Sequence, residues 1–305
     1  HAGARLGRSF GEKSARGFDA TFSAPKSVSV LWALTPDPWV RAEVLAAHDT
    51  AVDASQARPG ASPFPPTPSA QPSPRPMRFT IFQESRKGSR RINQDRIAYT
   101  YGRDTLLLVV ADGMGGHAGG EIAAQICVRL FVERFQQEAK PILRNPLKFL
   151  QDTMLRAHAA LGSYANQFSM LETPRTTCVA VVVQAGYAHW AHVGDSRFHL
   201  YRQGKMIGTT KDHSKVQYLV DQGIIGADEV SAHPDRNKIF SCLGGLVDPV
   251  IDLSRRTALR NGDVMVLCTD GLWGAIPQHE LASWLTSQPI LKAAPQMMRE
   301  AEKRG

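Results

Sequence analysis

A chain of 305 residues, 43% hydrophobic and 21% charged, has the composition of an ordinary globular protein with room for one large domain or two modest ones. No run approaches the ~18 consecutive apolar residues of a spanning helix, which excludes a helical membrane protein, and no secretory leader is read. The net charge of +8 is spread thinly: residues 1–76 carry eight basic and six acidic residues, leaving 28 and 22 scattered over the remainder. That pattern predicts a solvated mixed-charge surface rather than a nucleic-acid face. Cys127, Cys178, Cys242 and Cys268 form no CxxC pair, so neither a zinc site nor a disulfide framework is expected, and reduced thiols in a cytoplasmic protein account for them.

In chain order, the first patterned segment is Thr21–Trp32, which mixes β-branched and aromatic residues. Asp37-Pro38 then predicts a helix start, with Asp as N-cap and Pro at the first helical position. Trp39, Val40, Val44, Leu45, His48 and Val52 fall along one side of that helix. The run from Gly17 to Ala54, and Phe22-Ser23-Ala24-Pro25-Lys26-Ser27-Val28-Ser29 above all, resembles part of the relaxase domain of conjugative plasmid-transfer enzymes. The resemblance implies a nucleophilic tyrosine near the N-terminus and a three-histidine metal cluster. No tyrosine precedes Tyr99, and His1 and His48 make no cluster, so residues 1–54 are expected to be a relaxase-like fragment without independent function. The fragment is also too short to bury a core of its own.

Residues 55–76 hold eight prolines among Ser, Ala, Thr and Gln, and Phe64 is almost the only apolar residue. This composition predicts an extended linker. Removal of residues 1–76 is therefore expected to leave the remainder folded.

From Met77 the patterning is dense. Leu106–Ala111, Thr177–Val183, Tyr187–Val193, Arg197–Arg202 and Val264–Cys268 read as strands, with turns at Ala185-Gly186 and Gln203-Gly204. Ile122, Ile126, Leu130 and Phe131 repeat at helical spacing, as do Met154, Leu155, His158 and Leu161. Strands with the helices grouped in one central block predict an α+β fold.

The acidic residues carry the chemistry. Asp112-Gly113, Gly194-Asp195 and Asp270-Gly271 each follow an apolar strand that delivers an Asp with Gly beside it, and Asn93-Gln94-Asp95 adds a fourth carboxylate. Glycine admits close approach of main-chain carbonyls to a ligand. Carboxylates on separated strands suit hard cations such as Mg²⁺ or Mn²⁺, whereas softer metals would draw Cys or clustered His. Taken singly, an Asp-Gly at a strand end is a turn; four such signals in this order argue for a site.

These motifs, with Thr176-Thr177, Lys211-Asp212-His213-Ser214 and Ser241-Cys242-Leu243-Gly244-Gly245, are similar to those of the metal-dependent type 2C (PPM) Ser/Thr protein phosphatases, bacterial type, over Met77–Gly305. The resemblance implies two packed antiparallel β-sheets flanked by antiparallel helix pairs. It also implies hydrolysis of phosphoserine and phosphothreonine on proteins by a metal-activated water at a dinuclear Mn²⁺ or Mg²⁺ site, with a third ion in some members. On this reading Asp112 bridges the metals, the Gly113 carbonyl binds one, Asp270 holds the other, Asp195 recruits the third and Asp95 supports the metal waters. Arg90 grips the substrate phosphate with its planar fork. Phosphorylated proteins would be the partners of a cytoplasmic monomer, with neither membrane nor nucleic acid engaged.

Some positions depart from the family pattern. Gln94 stands where some members have Glu, and Met114 where animal members have a proton-donating His; His117 is nearby. His213 and His233 are expected to be hydrogen-bonding fold residues. The family ends on an Asp-Asn motif and a last apolar strand, and this sequence stops at Gly305 before one. The last strand and one ligand are therefore expected to be missing, and a non-catalytic phosphoprotein-binding module is the alternative. No Cys-x5-Arg run supports a thiol-based phosphatase.

Overall fold

The computed structural model describes the main chain of residues 29–33 and all of residues 77–88, 90–114, 119–226, 229–230 and 233–304. The expected helix from Asp37-Pro38, the proline-rich stretch 55–76 and His117 lie outside the described residues. Strand β1 (Ser29–Ala33) comes first, then β2 (Thr80–Glu84), β3 (Asp95–Tyr101) and β4 (Thr105–Met114). Helices α1 (Gly120–Glu138) and α2 (Pro146–Gln167) follow. A run of strands comes next: β5 (Arg175–Thr176), β6 (Cys178–Gln184), β7 (Tyr187–Val193), β8 (Arg197–Arg202) and β9 (Lys205–Thr209). After α3 (Lys215–Asp221) come β10 (Asp252–Leu253), β11 (Thr257–Ala258) and β12 (Val264–Cys268). Helices α4 (Asp270–Trp273), α5 (Gln278–Ser287) and α6 (Ile290–Arg304) end the described chain.

The strands form two antiparallel sheets. One runs β2-β1-β12-β8-β9, the other β10-β7-β6-β4-β3, with β11 on β7 and β5 on β4. Period-two alternation decides how they stack. Leu106, Leu108 and Val110 of β4 and Val179, Val181 and Val183 of β6 meet Phe198 and Leu200 of β8 and Met265 and Leu267 of β12 between the sheets. The other set of β4 and β6, including Leu107, Val109, Ala180 and Val182, packs beneath Phe131 of α1 and Leu150, Met154 and Leu161 of α2. Val266 and Cys268 of β12 and Tyr201 of β8 face outward under Leu281 and Leu285 of α5 and Met297 and Met298 of α6. Two sheets back to back with helices on both outer faces is the α+β architecture expected.

Local chemistry explains the ends. Asn145 caps α2 by accepting from the Lys148 N–H at 3.1 Å, with Pro146 first in the helix. The turns at Ala185-Gly186 and Gln203-Gly204 have positive φ at both residues, 51° and 77° and then 49° and 75°. That geometry suits a two-residue hairpin whose turn matches the strand twist.

Three expectations need amendment. The strand expected over Thr177–Val183 is observed as β6, Cys178–Gln184, starting one residue later because Thr177 is bonded to Asp112: its N–H donates to the Asp112 carbonyl at 2.8 Å and its Oγ1 accepts from the Asp112 N–H at 3.1 Å. The helices do not form one central block, since α5 and α6 cover the outer face of the first sheet after the last described strand. The N-terminal segment is also not separate from the sheet system: β1 stands inside the first sheet, antiparallel to β2 on one side and β12 on the other.

His199 of β8 gives this fold an acid-sensitive point. It is 2% exposed, its Nδ1 lies 2.9 Å from Thr209 Oγ1, and burial, then the Arg197 charge, lowers its pKa from 6.5 to about 3. Between these values the unfolded chain binds a proton that the folded chain does not, so stability is lost as pH falls from about 6.5. Denaturant titrations at pH 7 and pH 5 are expected to show a smaller loss in His199→Asn than in the parent; an equal loss would remove His199 as the cause.

Candidate active site

The faces that build the core also build the site. On β3 the side chains that pack between the sheets are Ile97 and Tyr99, so Asp95 continues that face; on β4, Asp112 continues the face of Val110. The register pairs Asp95 directly with Asp112. Beyond Leu267 of β12 the same face leads to Thr269, whose hydroxyl donates to Asp95 Oδ2 at 3.1 Å. Asp270 follows as the first residue of α4. The turn from β7 to β8 crosses from one sheet to the other and carries Asp195, held where the Trp273 indole N–H donates to its carbonyl at 2.9 Å. Asp95, Asp112, Asp195 and Asp270 are thereby gathered at one open end of the sandwich.

The main chain around them is tightly specified. Thr176 Oγ1 donates to the Asp112 carbonyl at 2.9 Å, and Thr177 Oγ1 lies 2.7 Å from Ser196 Oγ, tying the β6 end to the β7–β8 turn. Gly194 has φ +97°, and a Cβ there would meet Thr177 Cγ2 at 2.6 Å. The Gly113 N–H donates to the Gln94 carbonyl at 3.1 Å, and a Cβ on Gly113 would lie 2.1 Å from the Gly120 carbonyl oxygen. Both glycines are thus required by close main-chain approach. The Asn93 side chain accepts from the Asp95 N–H at 2.8 Å and donates to Ser85 Oγ at 3.0 Å, which braces the loop that delivers Asp95. Arg90 is exposed on that loop, with its N–H on the Lys87 carbonyl at 3.3 Å.

Electrostatics mark the cluster as crowded with negative charge. Asp195 is 7% exposed, and burial, followed by the neighbouring charges of Asp270 and Asp212, pushes its pKa to about 7. Two buried carboxylates near one another resist joint ionisation, and a divalent cation between them removes that resistance. The donors are all oxygen, as a hard cation requires. The residues present therefore fit Mn²⁺ or Mg²⁺.

A second titratable group sits behind this end. His192, His213 and Asp252 bring ligand-type atoms within 4.8 Å of one another. The Gly194 N–H donates to His213 Nδ1 at 3.2 Å, and His213 Nε2 lies 3.5 Å from Asp252. His213 thus braces the glycine preceding Asp195, as expected of a fold residue. His233 does likewise, accepting from the Asp235 N–H at 3.1 Å.

The supporting residues Thr269, Ser196 and Trp273 were not singled out individually from sequence. Strand alternation beyond Leu267 and Phe198 places Thr269 and Ser196 on the inner face, but nothing local reveals that the first meets an Asp 174 residues away. The Arg197 guanidinium makes paired bonds of 2.9 and 2.8 Å to buried Asp212 and lies 3.7 Å from the centre of the Trp273 ring.

Comparison with known proteins bears on this arrangement. Residues 83–304 match the Protein phosphatase 2C family. The chain belongs to that family. Residues 1–57 match a second family, TrwC relaxase, in line with the resemblance of the N-terminal segment. The serine/threonine protein phosphatase PstP of Mycobacterium tuberculosis is 32% identical over 223 residues, which are 72% of this chain and 41% of PstP. The chain thus spans about two fifths of that relative's length. The serine/threonine phosphatase stp of Listeria innocua is 29% identical over 213 residues, 69% of this chain and 84% of its own. The crystal structure of the M. tuberculosis phosphatase PstP/Ppp superposes with a TM-score of 0.61 at 31% identity, covering 72% of this chain and 89% of that one. The PstP catalytic domain in complex with two manganese ions gives 0.59 at 30%, covering 71% and 87%.

Proposed function

We propose that this chain removes phosphate from phosphoserine and phosphothreonine on proteins at a dinuclear Mn²⁺ or Mg²⁺ site. The observation that carries the reading is the convergence of Asp95, Asp112, Asp195 and Asp270 at one end of the sandwich in a phosphatase 2C chain. The manganese named for the PstP catalytic domain supports the same choice of ion. Asp112 and the Gly113 carbonyl, with Asp270, would hold the two ions; Asp195 is the position for a third, and Asp95 is set to orient waters. Bound cations at such a site supply acidified water and neutralise charge on the phosphoryl oxygens.

The chain's own residues do the positioning. Thr176 and Thr177 fix the main chain of Asp112. Thr269 orients the Asp95 carboxylate, and Trp273 fixes the main chain of Asp195. The Arg90 guanidinium offers two parallel donors to the phosphate dianion and so orients phosphorus for in-line attack. Substrates would be phosphorylated proteins met by a monomer in the cytoplasm, without nucleic acid or membrane; no helix among the described residues is long and apolar enough to cross a membrane. The division proposed is a relaxase-like fragment over 1–54, a linker over 55–76 and the phosphatase domain over 77–305.

The test is release of phosphate from an aryl phosphate and from a phosphothreonine peptide, with Mn²⁺ and then with EDTA. Turnover that appears with Mn²⁺ and disappears with EDTA is expected. Peptide binding without turnover would instead establish the non-catalytic module.

Arg90→Ala separates phosphate capture from metal capture. Loss of a charge-assisted contact should raise KM for the peptide by about tenfold or more, while the Mn²⁺-induced rise in Tm stays as in the parent. An unaltered KM would make Arg90 an ordinary surface residue.

A further inference from the structure

Within the first sheet, β1 is an interior strand on both flanks. Ser29 to Ala33 pair with Cys268 to Val264 of β12 on one side and with Glu84 to Thr80 of β2 on the other. Because β1 is antiparallel to both, β2 and β12 run parallel to each other and stand two strand spacings apart, about 9.6 Å. Among the described residues β2 pairs with no other strand. Take β1 away and β2 is cut off from the sheet, while β12 shows an open edge of unpaired N–H and C=O groups at its centre. Helix α6 lies over β1 and β2, so such an opening would also undercut the outer helical layer.

The segment that fills this position comes from outside the phosphatase match. That match covers residues 83–304, whereas β1 lies within the 1–57 relaxase match. Residues Ser29-Val30-Leu31-Trp32-Ala33 suit the place by composition, since β-branched and aromatic residues fit a strand with neighbours on both sides. The pairing also abuts the site: Ser29 faces Cys268, one residue before Thr269 and two before Asp270.

We propose that the phosphatase body holds a strand-acceptor slot between β2 and β12, and that the relaxase-derived segment Ser29–Ala33 of the same chain is its donor strand. The partner that the slot recognises is an extended peptide, antiparallel to both neighbours, bound mainly through its main chain. Residues 34–79 tether donor to acceptor, and the high effective concentration this gives favours the chain's own segment over one from a second copy.

The test keeps the full chain and places a specific protease site within residues 55–76. After cleavage, the N-terminal piece is expected to co-elute with the body on native gel filtration at the mass of one chain. Amides in Ser29–Ala33 of the uncut chain should exchange as slowly as those of neighbouring β12. A fluorescent peptide spanning residues 26–36 should replace the cleaved piece when added in excess. Leu31→Pro removes a ladder donor and should abolish co-elution; the Leu31→Val variant, which keeps the donor, should retain it. Separation of the native piece on cleavage, or rapid exchange at Ser29–Ala33, would overturn the proposal. Elution of the uncut chain as a strand-exchanged dimer would overturn the assignment to the same chain.

Discussion

Asp112→Asn is expected to abolish both the Mn²⁺-induced rise in Tm and Mn²⁺-dependent phosphate release, with the fold retained. The carboxylate stands at the inner end of β4 beside Asp95, so no other donor on that strand can replace its charge. Its main chain is tied independently of the side chain, through Thr176 and Thr177 at 2.8 to 3.1 Å, and Asn preserves the shape. The strand should therefore stay in register while the charge is lost. Changing residues one step removed from a metal already costs about 10–100-fold in affinity or activity, so loss of a carboxylate proposed to hold the ion itself belongs at or beyond the upper end of that range. Calorimetric titration with Mn²⁺ decides it, because unchanged binding in Asp112→Asn would remove Asp112 from the site.

Much of this site could be read in the sequence because strand alternation is a local property. Val110 and Asp112 share a face whatever the strand pairs with, and an Asp followed by Gly at a strand end marks where side chain and main chain can both meet a ligand. What could not be read is which ends meet. Asp95 and Thr269 are 174 residues apart, and only the packing of β3 and β12 on the same inner layer joins them. Strand β3 itself was missed, since Asp-Arg-Ile-Ala-Tyr-Thr-Tyr mixes charge with aromatic residues and lacks a continuous apolar run. The N-terminal segment shows the same limit from the other side. Its mixture of β-branched and aromatic residues was legible, but the proline-rich stretch that follows suggested separation, and pairing with β2 and β12 is set by open edges elsewhere in the chain. Helices α5 and α6 carry apolar positions, Leu281, Leu285, Met297 and Met298, that repeat at helical spacing, but which sheet they cover is set by contacts far away in sequence.

Arg197→Ala is expected to be the most destabilising single change among the polar residues around the site. Asp212 is 5% exposed, and both its oxygens are taken by the Arg197 fork at 2.9 and 2.8 Å. Truncating the arginine leaves that carboxylate buried without its cation, a loss of about 3–5 kcal/mol for a broken buried pair, or roughly 6–20 °C in Tm for a domain of this size. The Trp273 ring also loses the guanidinium 3.7 Å from its centre, and that ring's indole N–H fixes the carbonyl of Asp195. The damage should therefore reach the acidic cluster: Asp212 already contributes to the raised pKa of Asp195, and the opposing effect of the Arg197 charge would be lost. Arg197→Met combined with Asp212→Leu removes both charges and should recover most of the lost stability. It should not recover Mn²⁺ affinity in full, because the contact that steadies Trp273 remains absent. Denaturant unfolding of the parent, the single and the double variant measures the first effect, and calorimetric Mn²⁺ titration the second. An Arg197→Ala variant as stable as the parent would mean that Asp212 does not need its partner and that the pair only decorates the site.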